Sequence, residues 1–330
     1  MIIAELGVNH DGSVDRARAL MRLAHGCGVD AVKFQCFEAD ALMGAAACLA
    51  AYQAATETDP LEMLRRLQLP LGAFGPLVDE AHALGMKALV TIFSLDHIDA
   101  MGALAWDGFK TASPDLVHRP LLEAVASLGR PMLVSTGAST RDEIERALSW
   151  LDGADVRTLH CVSAYPTAPA DTHLLAMRDV PRCCGYSDHT TGIEVASIAK
   201  RLGATVLEKH FTDDVTRAGP DHRASLDPEG MRAYVRAFHE ARAGDLVDEC
   251  EVLGDGVKRV LACERDVREV SRQSLTASRD LEVGTTLTRA DLVMRRPGVG
   301  IEPFHLDEVV GRVVARAVGA GHPLTWEDVG

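Results

Sequence analysis

Eight short apolar runs, each followed by a polar or amphipathic stretch, occupy the first 243 residues. They are 2–5 "IIAE", 31–36 "AVKFQC", 87–93 "KALVTIF", 107–112 "DGFKTA", 131–136 "PMLVST", 156–162 "VRTLHCV", 183–186 "CCGY" and 205–210 "TVLEKH". Helical patterns lie between them at 14–25, 74–84, 119–128, 140–151, 190–202 and 228–243. A strand that is apolar along its whole length is buried on both faces, which points to parallel strands covered by crossover helices. Eight such units in about 240 residues predict a closed (β/α)8 barrel rather than an open sheet. The Ala-rich insertion 37–60 is expected to form a loop over the barrel mouth.

The pattern breaks near residue 244. "GDLVDECEVLGDGVKRVLACERDVREVSRQ" is charged and reads as a linker over 244–270 with one helix. Short β-like pieces with Gly and Pro turns then predict a separate, small β-rich domain over 271–330. The chain thus divides into a barrel (1–243), a linker and an appended domain.

Composition limits the partners. At 47% hydrophobic residues the chain can bury a sizeable core, and no apolar run reaches membrane-spanning length. A net charge of −14 argues against nucleic acid or an anionic membrane, and leaves room for a small anion only where Lys and Arg converge. Residues 1–6, "MIIAEL", lack a basic flank and a cleavage-like site, so no signal peptide is expected. Cys27, Cys36, Cys48, Cys161, Cys183, Cys184, Cys250 and Cys263 show neither CxxC pairs nor zinc-finger spacing. Several sit inside apolar runs, as in "TLHCVSAY" and "RCCGYS", and they read as reduced thiols filling the core, with a cytoplasmic address.

Chemistry in a β/α barrel collects at the C-terminal ends of the strands. Every predicted strand places polar side chains there: Glu5, then Lys33 with Gln35, Thr91 with Ser94, and Lys110 with Ser113. Ser135 with Thr136, Ser163 with Tyr165, Ser187 to His189 in "GYSDHTTGIEV", and Glu208 to His210 complete the circuit. Strands seven and eight are neighbours in a closed barrel, so His189 and His210 can meet although far apart in the chain. Each residue alone also has a plainer reading. A strand-end histidine can be structural, a lysine stem can snorkel, Tyr165 before Pro166 can be a packed turn, and Glu5 can simply pair with a lysine. Lysines in otherwise apolar strands say more, because an unpaired buried ammonium is costly. Together, Lys33 and Lys110 with hydroxyls at Thr91, Ser113, Ser163 and Ser187 suit a phosphate plus a carboxylate. Two adjacent imidazoles suit a divalent ion such as manganese, iron, cobalt or zinc. The combination points to metal-assisted carbon–carbon chemistry on phosphoenolpyruvate or a similar acid.

These residues sit in stretches that resemble a known family. "AELGVNHDGS", "DAVKFQ", "MLRRLQL", "HCVSAYPT", "GYSDHTTGI", "LEKHFT" and "GPDHRASLDP" are similar to the sialic acid (nonulosonic acid) synthases. The likeness extends to the end of the chain, since "RQSLTA", "MRRPGVGI" and "AGHPLTWEDV" resemble that family's antifreeze-like (SAF) domain. The resemblance implies condensation of phosphoenolpyruvate with an N-acyl aminohexose to a nine-carbon 2-keto-3-deoxy acid, with a divalent metal, typically Mn2+. It implies His189 and His210 as metal ligands, and Lys33, Thr91, Lys110, Ser113, Ser163 and Ser187 as the phosphoenolpyruvate site. Glu5 and Tyr165 would lie near the sugar aldehyde, and Asp221 near sugar hydroxyls. Arg296 would reach the barrel of a partner subunit in a domain-swapped homodimer. Two stretches depart from the family pattern. "TIF" stands for the common "TPF", placing Ile92 after Thr91, and "ASPD" stands for "GSGE", bringing Pro114 and Asp115; both bear on sugar identity more than on the reaction. A metal-dependent pyruvate aldolase on the same barrel would need fewer phosphate donors than Lys110 and Ser113 provide. A non-catalytic carbohydrate-binding role would not require the intact histidines and lysines.

Overall fold

The computed structural model describes residues 1–246 and 251–330. Eight parallel strands close into a barrel in sequence order: β1 (Ile2–Glu5), β2 (Ala31–Cys36), β3 (Lys87–Ile92), β4 (Gly108–Thr111), β5 (Met132–Ser135), β6 (Val156–Cys161), β7 (Cys183–Asp188) and β8 (Val206–His210). Closure is direct, with β1 hydrogen-bonded to both β2 and β8. Strand β7 runs two residues past the predicted end, so Ser187 and Asp188 belong to the sheet.

Side chains alternate across these strands, as the two-residue period requires. Outward-facing Ile2, Ala4, Val32, Phe34 and Cys36 pack into the layer of surrounding helices. That layer contains α1 (Val14–His25), α4 (Phe74–Ala83), α5 (Ile98–Gly102), α6 (Arg119–Ser127), α7 (Arg141–Ser149), α8 (Glu194–Arg201) and α9 (Pro228–Glu240), whereas α2 (Ala39–Leu42) and α3 (Pro60–Leu67) form a separate apolar cluster with Val8, Phe37 and Phe93. No α-helix follows β6; the chain returns to β7 through two short 3-10 turns, Pro169–Asp171 and Leu174–Arg178.

Inward-facing residues form two layers of opposite character. Ile3, Ala31, Leu89, Leu133, Leu159 and Val206 make an apolar floor toward the N-terminal end. One step further along each strand come Glu5, Lys33, Thr91, Lys110, Ser135, Cys161, Ser187 and Glu208, which line a cavity. Gly185 lets β7 approach β8, since a Cβ there would stand 1.6 Å from the Val206 carbonyl oxygen.

The insertion 37–60 is more ordered than a loop. It opens with α2 and ends at Asp59, whose Oδ1 caps α3 by accepting from Leu61 N (2.8 Å) and Glu62 N (2.9 Å). Past the barrel, α10 (Arg265–Ser271) leads into a small domain with β9 (Ser274–Ala277), β10 (Leu292–Arg295) and α11 (Leu306–Val309). This domain has its own core of Leu275, Leu281, Leu287, Leu292, Val309, Val314 and Leu324, separate from the barrel's. The segment read as a charged linker packs against the barrel where described: Lys258 and Glu264 are buried, as is Arg272 just beyond it. Residues 247–250 of that segment, with Cys250, lie outside the described residues. Cys27, Cys36 and Cys161 are buried as expected, whereas Cys48 is exposed, and the seven described cysteines are free thiols. No described helix is long and apolar enough to cross a membrane.

Candidate active site

At the C-terminal end of the barrel a cavity of about 380 Å³ is walled by Glu5, Lys33, Thr91, Lys110, Ser113, Ser187, His189, Glu208 and His210, among others. A second cavity of about 700 Å³ adjoins it and shares Gln35, Phe93, Pro114, Tyr165 and His210. Size alone does not single out these chambers. A hollow of about 880 Å³ at the opposite end of the barrel is walled by Leu89, Leu133 and Val206 and contains none of the predicted residues.

The inner cavity is a buried charge network. Lys33 Nζ pairs with Glu5, donates to Thr91 Oγ1 at 3.0 Å and stands 3.9 Å from Glu208 Oε2. Lys110 Nζ lies 3.2 Å from Glu208 Oε1, which also accepts from Ser187 Oγ at 3.0 Å. Glu5 Oε1 accepts from Gly7 N (2.9 Å) and Gln35 Nε2 (3.3 Å). Burial raises Glu5 to about 7; Lys33 opposes this and the Glu208 carboxylate adds to it. Burial disfavours the Lys33 ammonium, but Glu208 and Glu5 together outweigh it and leave Lys33 above the ordinary lysine range. Glu208 moves down despite its burial, because Lys110 and Lys33 face it. The pocket therefore holds two ammonium groups, one firm carboxylate, and a second carboxylate poised near neutrality.

Glu208 was noted at the end of its strand but not assigned to the site. The clue was its spacing: Glu208 and His210 are two apart on β8 and so share the inward face. Lys209 between them points into the helix layer, where Asp188 Oδ2 pairs with it at 3.0 Å and accepts from Tyr234 of α9 at 3.0 Å. Cys161, read as core filler, also borders the cavity, with Ser113 Oγ donating to its Sγ at 3.4 Å.

His189 and His210 do meet, with ring centroids 5.4 Å apart. His189 Nδ1 donates to the Val162 carbonyl at 2.8 Å; burial disfavours its charged form, but Cys161 and that carbonyl outweigh the burial and raise this histidine above its ordinary range. His210 Nδ1 is buried without a hydrogen-bond partner, 3.5 Å from Asp221 Oδ2. Burial, assisted by His189, Lys33 and Lys110, holds His210 well below the usual histidine range, so its ring is neutral as a metal ligand must be. Two oriented imidazoles with unused nitrogens fit a divalent ion. Among the described residues no group of three or more His, Cys, Asp or Glu side chains is arranged to hold a metal ion, so the protein itself offers this pair of imidazoles.

Tyr165 stacks over His189 at 4.1 Å and under Tyr52 of the insertion at 5.0 Å. Tyr52 was missed, because nothing local distinguishes one tyrosine in an Ala-rich insertion. Asp221 and Arg296 line the outer cavity with Val8, Met63, Leu64, Leu67 and Val267. Arg296 is fixed by its backbone, its N–H donating to the Leu42 carbonyl and its own carbonyl accepting from Gly44 N, both at 2.9 Å. Its guanidinium lies 5.6 Å above the Phe93 ring of its own chain's barrel. Ser163 alone among the predicted anion-binding residues does not wall the inner cavity, although its buried Oγ has no hydrogen-bond partner. Asp115 is buried at the domain junction, accepting from Gln273 Nε2 of the small domain at 3.1 Å.

A parallel barrel with cations, carboxylates and paired imidazoles at the C-terminal end of its strands has the layout of a β/α-barrel enzyme. Residues 20–245 match the NeuB family and residues 272–330 the SAF domain. This chain belongs to the NeuB family. It is 36% identical to N,N'-diacetyllegionaminic acid synthase of Legionella pneumophila, over 99% of this chain and 94% of that protein. It is 33% identical to mouse N-acetylneuraminate-9-phosphate synthase, over 99% and 92% of the two chains. The crystal structure of spore coat polysaccharide biosynthesis protein spsE from Bacillus subtilis superimposes with a TM-score of 0.85 at 28% identity, covering 100% of this chain and 95% of that one.

Proposed function

We propose that this protein is a nonulosonic acid synthase, joining phosphoenolpyruvate and water to an N-acyl aminohexose and releasing inorganic phosphate. The observation that carries this reading is the inner cavity: Lys33 and Lys110 share one pocket with the His189–His210 pair, beneath a vestibule holding Asp221 and Arg296. Lys33, Lys110 and the hydroxyls of Thr91, Ser113, Ser187 and, from just behind, Ser163 hold the phosphate and carboxylate through charge-assisted hydrogen bonds. When a divalent ion, Mn2+ for preference, is bound by His189 and His210, it supplies Lewis-acid polarisation of the sugar aldehyde. Tyr165 and Asp221 orient the open-chain sugar so that the methylene carbon of phosphoenolpyruvate bonds to the aldehyde carbon. Water then adds to the enol carbon, and breaking that carbon's bond to the phosphate oxygen yields the 2-keto acid. Glu5, poised near neutrality, exchanges the proton of that water.

The vestibule favours an unphosphorylated acceptor rich in methyl groups. Val8, Met63, Leu64, Leu67 and Val267 make an apolar wall, and Arg296 is the one cation on it among the described residues. That lining supports a 2,4-diacetamido-trideoxyhexose over N-acetylmannosamine, and either over a sugar phosphate. Similarity to the Legionella enzyme points the same way.

A cytoplasmic homodimer in which the small domain covers the partner's barrel is part of the same proposal. The small domain's separate core supports it, because the Arg296 contact seen within one chain can equally form between two.

The test is incubation with Mn2+, phosphoenolpyruvate and each acceptor in turn: the diacetamido sugar, N-acetylmannosamine and its 6-phosphate. Phosphate release should be fastest with the first. No release with any acceptor, or turnover of pyruvate in place of phosphoenolpyruvate, would overturn the synthase reading in favour of an aldolase or a binding protein.

A further inference from the structure

The segment between barrel and small domain carries a carboxylate that the mechanism above does not use. Glu264 is fully buried, and its Oε1 accepts from two backbone amides, Ala138 N at 2.6 Å and Ser163 N at 2.8 Å. Its Oε2 accepts from Leu261 N at 2.9 Å. Ala138 and Ser163 lie on adjacent loops that leave β5 and β6, so one carboxylate ties together two loops at the catalytic end of the barrel.

The β6 loop reaches the inner cavity through Tyr165, and the β5 loop meets it through its bond to Ser113. Gly137, next to Ala138, donates its N–H to Ser113 Oγ at 2.9 Å. The fit there is close: a Cβ on Gly137 would stand 2.2 Å from Ser163 Oγ and 2.8 Å from Ser113 Oγ. Ala138 has φ of 50°, a left-handed conformation that an alanine leaves unless its surroundings hold it. Glu264 holds its N–H, while its carbonyl accepts from Arg268 Nη1 at 2.6 Å and Arg272 Nη2 at 3.2 Å. Lys258 Nζ adds a bond to the Cys161 carbonyl at 3.2 Å, two residues before Ser163.

We propose that Glu264 is a positioning residue for anion binding: it fixes the β5 and β6 loops so that Ser113 and Ser163 present their hydroxyls to the substrate phosphate. This rests on reading the inner cavity as the phosphoenolpyruvate site. The connecting segment is then part of the active-site framework as well as a tether. A carboxylate suits the task because two amides converging on one oxygen need a strong acceptor.

The experiment compares Glu264→Ala, Glu264→Asp and Glu264→Gln in the full-length protein, measuring both Michaelis constants, kcat and the melting temperature. Glu264→Ala should raise KM for phosphoenolpyruvate roughly tenfold, the effect of losing a charge-assisted bond, while the acceptor KM stays within about twofold. Glu264→Gln, whose amide oxygen can still accept from both loop N–H groups but whose NH2 would meet the Leu261 N–H, should recover part of the loss. Glu264→Asp, too short to reach both loops, should behave like Ala and replaces it if the Ala variant does not fold. A lowered melting temperature with an unchanged KM for phosphoenolpyruvate would show a purely structural staple and overturn the proposal, as would an equal rise in both Michaelis constants. Wild-type turnover separates the two readings: if it releases phosphate normally and Glu264 variants keep their KM, only this inference fails. If the wild type never uses phosphoenolpyruvate, both fail.

Discussion

Lys110→Met removes one ammonium from the inner cavity and keeps most of the side chain's apolar stem. Lys110 is buried and has one charged partner, Glu208 Oε1 at 3.2 Å. Glu208 does not become an orphan in the variant, because Ser187 Oγ remains at 3.0 Å and Lys33 Nζ at 3.9 Å. The stability cost should therefore fall below the roughly 3–5 kcal/mol that accompanies breaking an isolated buried pair. Binding is affected more. A charge-assisted hydrogen bond to an anion contributes about 1.5–3 kcal/mol. At about 1.4 kcal/mol per tenfold, the KM for phosphoenolpyruvate should rise roughly 10- to 150-fold. Lys110 lines the inner cavity and is absent from the wall of the outer one, so the acceptor KM should move little. The assay follows released phosphate, varying phosphoenolpyruvate at saturating acceptor and then the reverse, with a thermal melt beside each. An unchanged KM for phosphoenolpyruvate together with a raised acceptor KM would refute the assignment of this cavity to the anion.

Three further outcomes are expected. His189→Ala and His210→Ala should each abolish metal-dependent turnover while the protein still melts cooperatively; wild-type Mn2+ affinity by calorimetry in either variant would remove the two-histidine site. Mixing Arg296→Ala with His189→Ala protein should restore up to about a quarter of wild-type activity if half the dimers are mixed and each gains one complete site. No recovery despite demonstrated subunit exchange would mean that Arg296 serves its own barrel, as drawn in the single chain. Asp115 is pushed up to about 6 by burial, so the folded state holds a proton that the unfolded chain, near 3.8, releases. The unfolded state then binds fewer protons, and stability falls as pH rises from about 4 to about 6, by up to about 3 kcal/mol for two pKa units. Asp221, also pushed up to about 6 by burial, titrates in the same window, so Asp115→Asn should lessen rather than abolish the fall in melting temperature. An unaltered pH profile would contradict the placement of Asp115 in a dry junction.

Much of the barrel is legible in the linear sequence. Strands covered on both faces must be apolar throughout, and all eight observed strands fall within two residues of the predicted runs. The site residues at strand ends follow from the same logic, because chain order around a closed barrel makes β7 and β8 neighbours and brings His189 to His210. The resemblance to known synthases supplied roles for Asp221 and Arg296 that spacing did not. Other features depended on which way a charge faces. "LEKH" contains three consecutive polar residues, and only barrel closure shows that Glu208 and His210 look inward while Lys209 looks out to Asp188. The charged stretch 244–270 reads as a linker with one helix, yet Glu264 within it reaches backbone amides 126 and 101 residues earlier in the chain. Local periodicity reports how a residue sits relative to its near neighbours, which suffices for strands and helices. A buried carboxylate is tolerated only where donors converge on it, and the donors for Glu264 come together only when β5 and β6 stand side by side in the closed barrel.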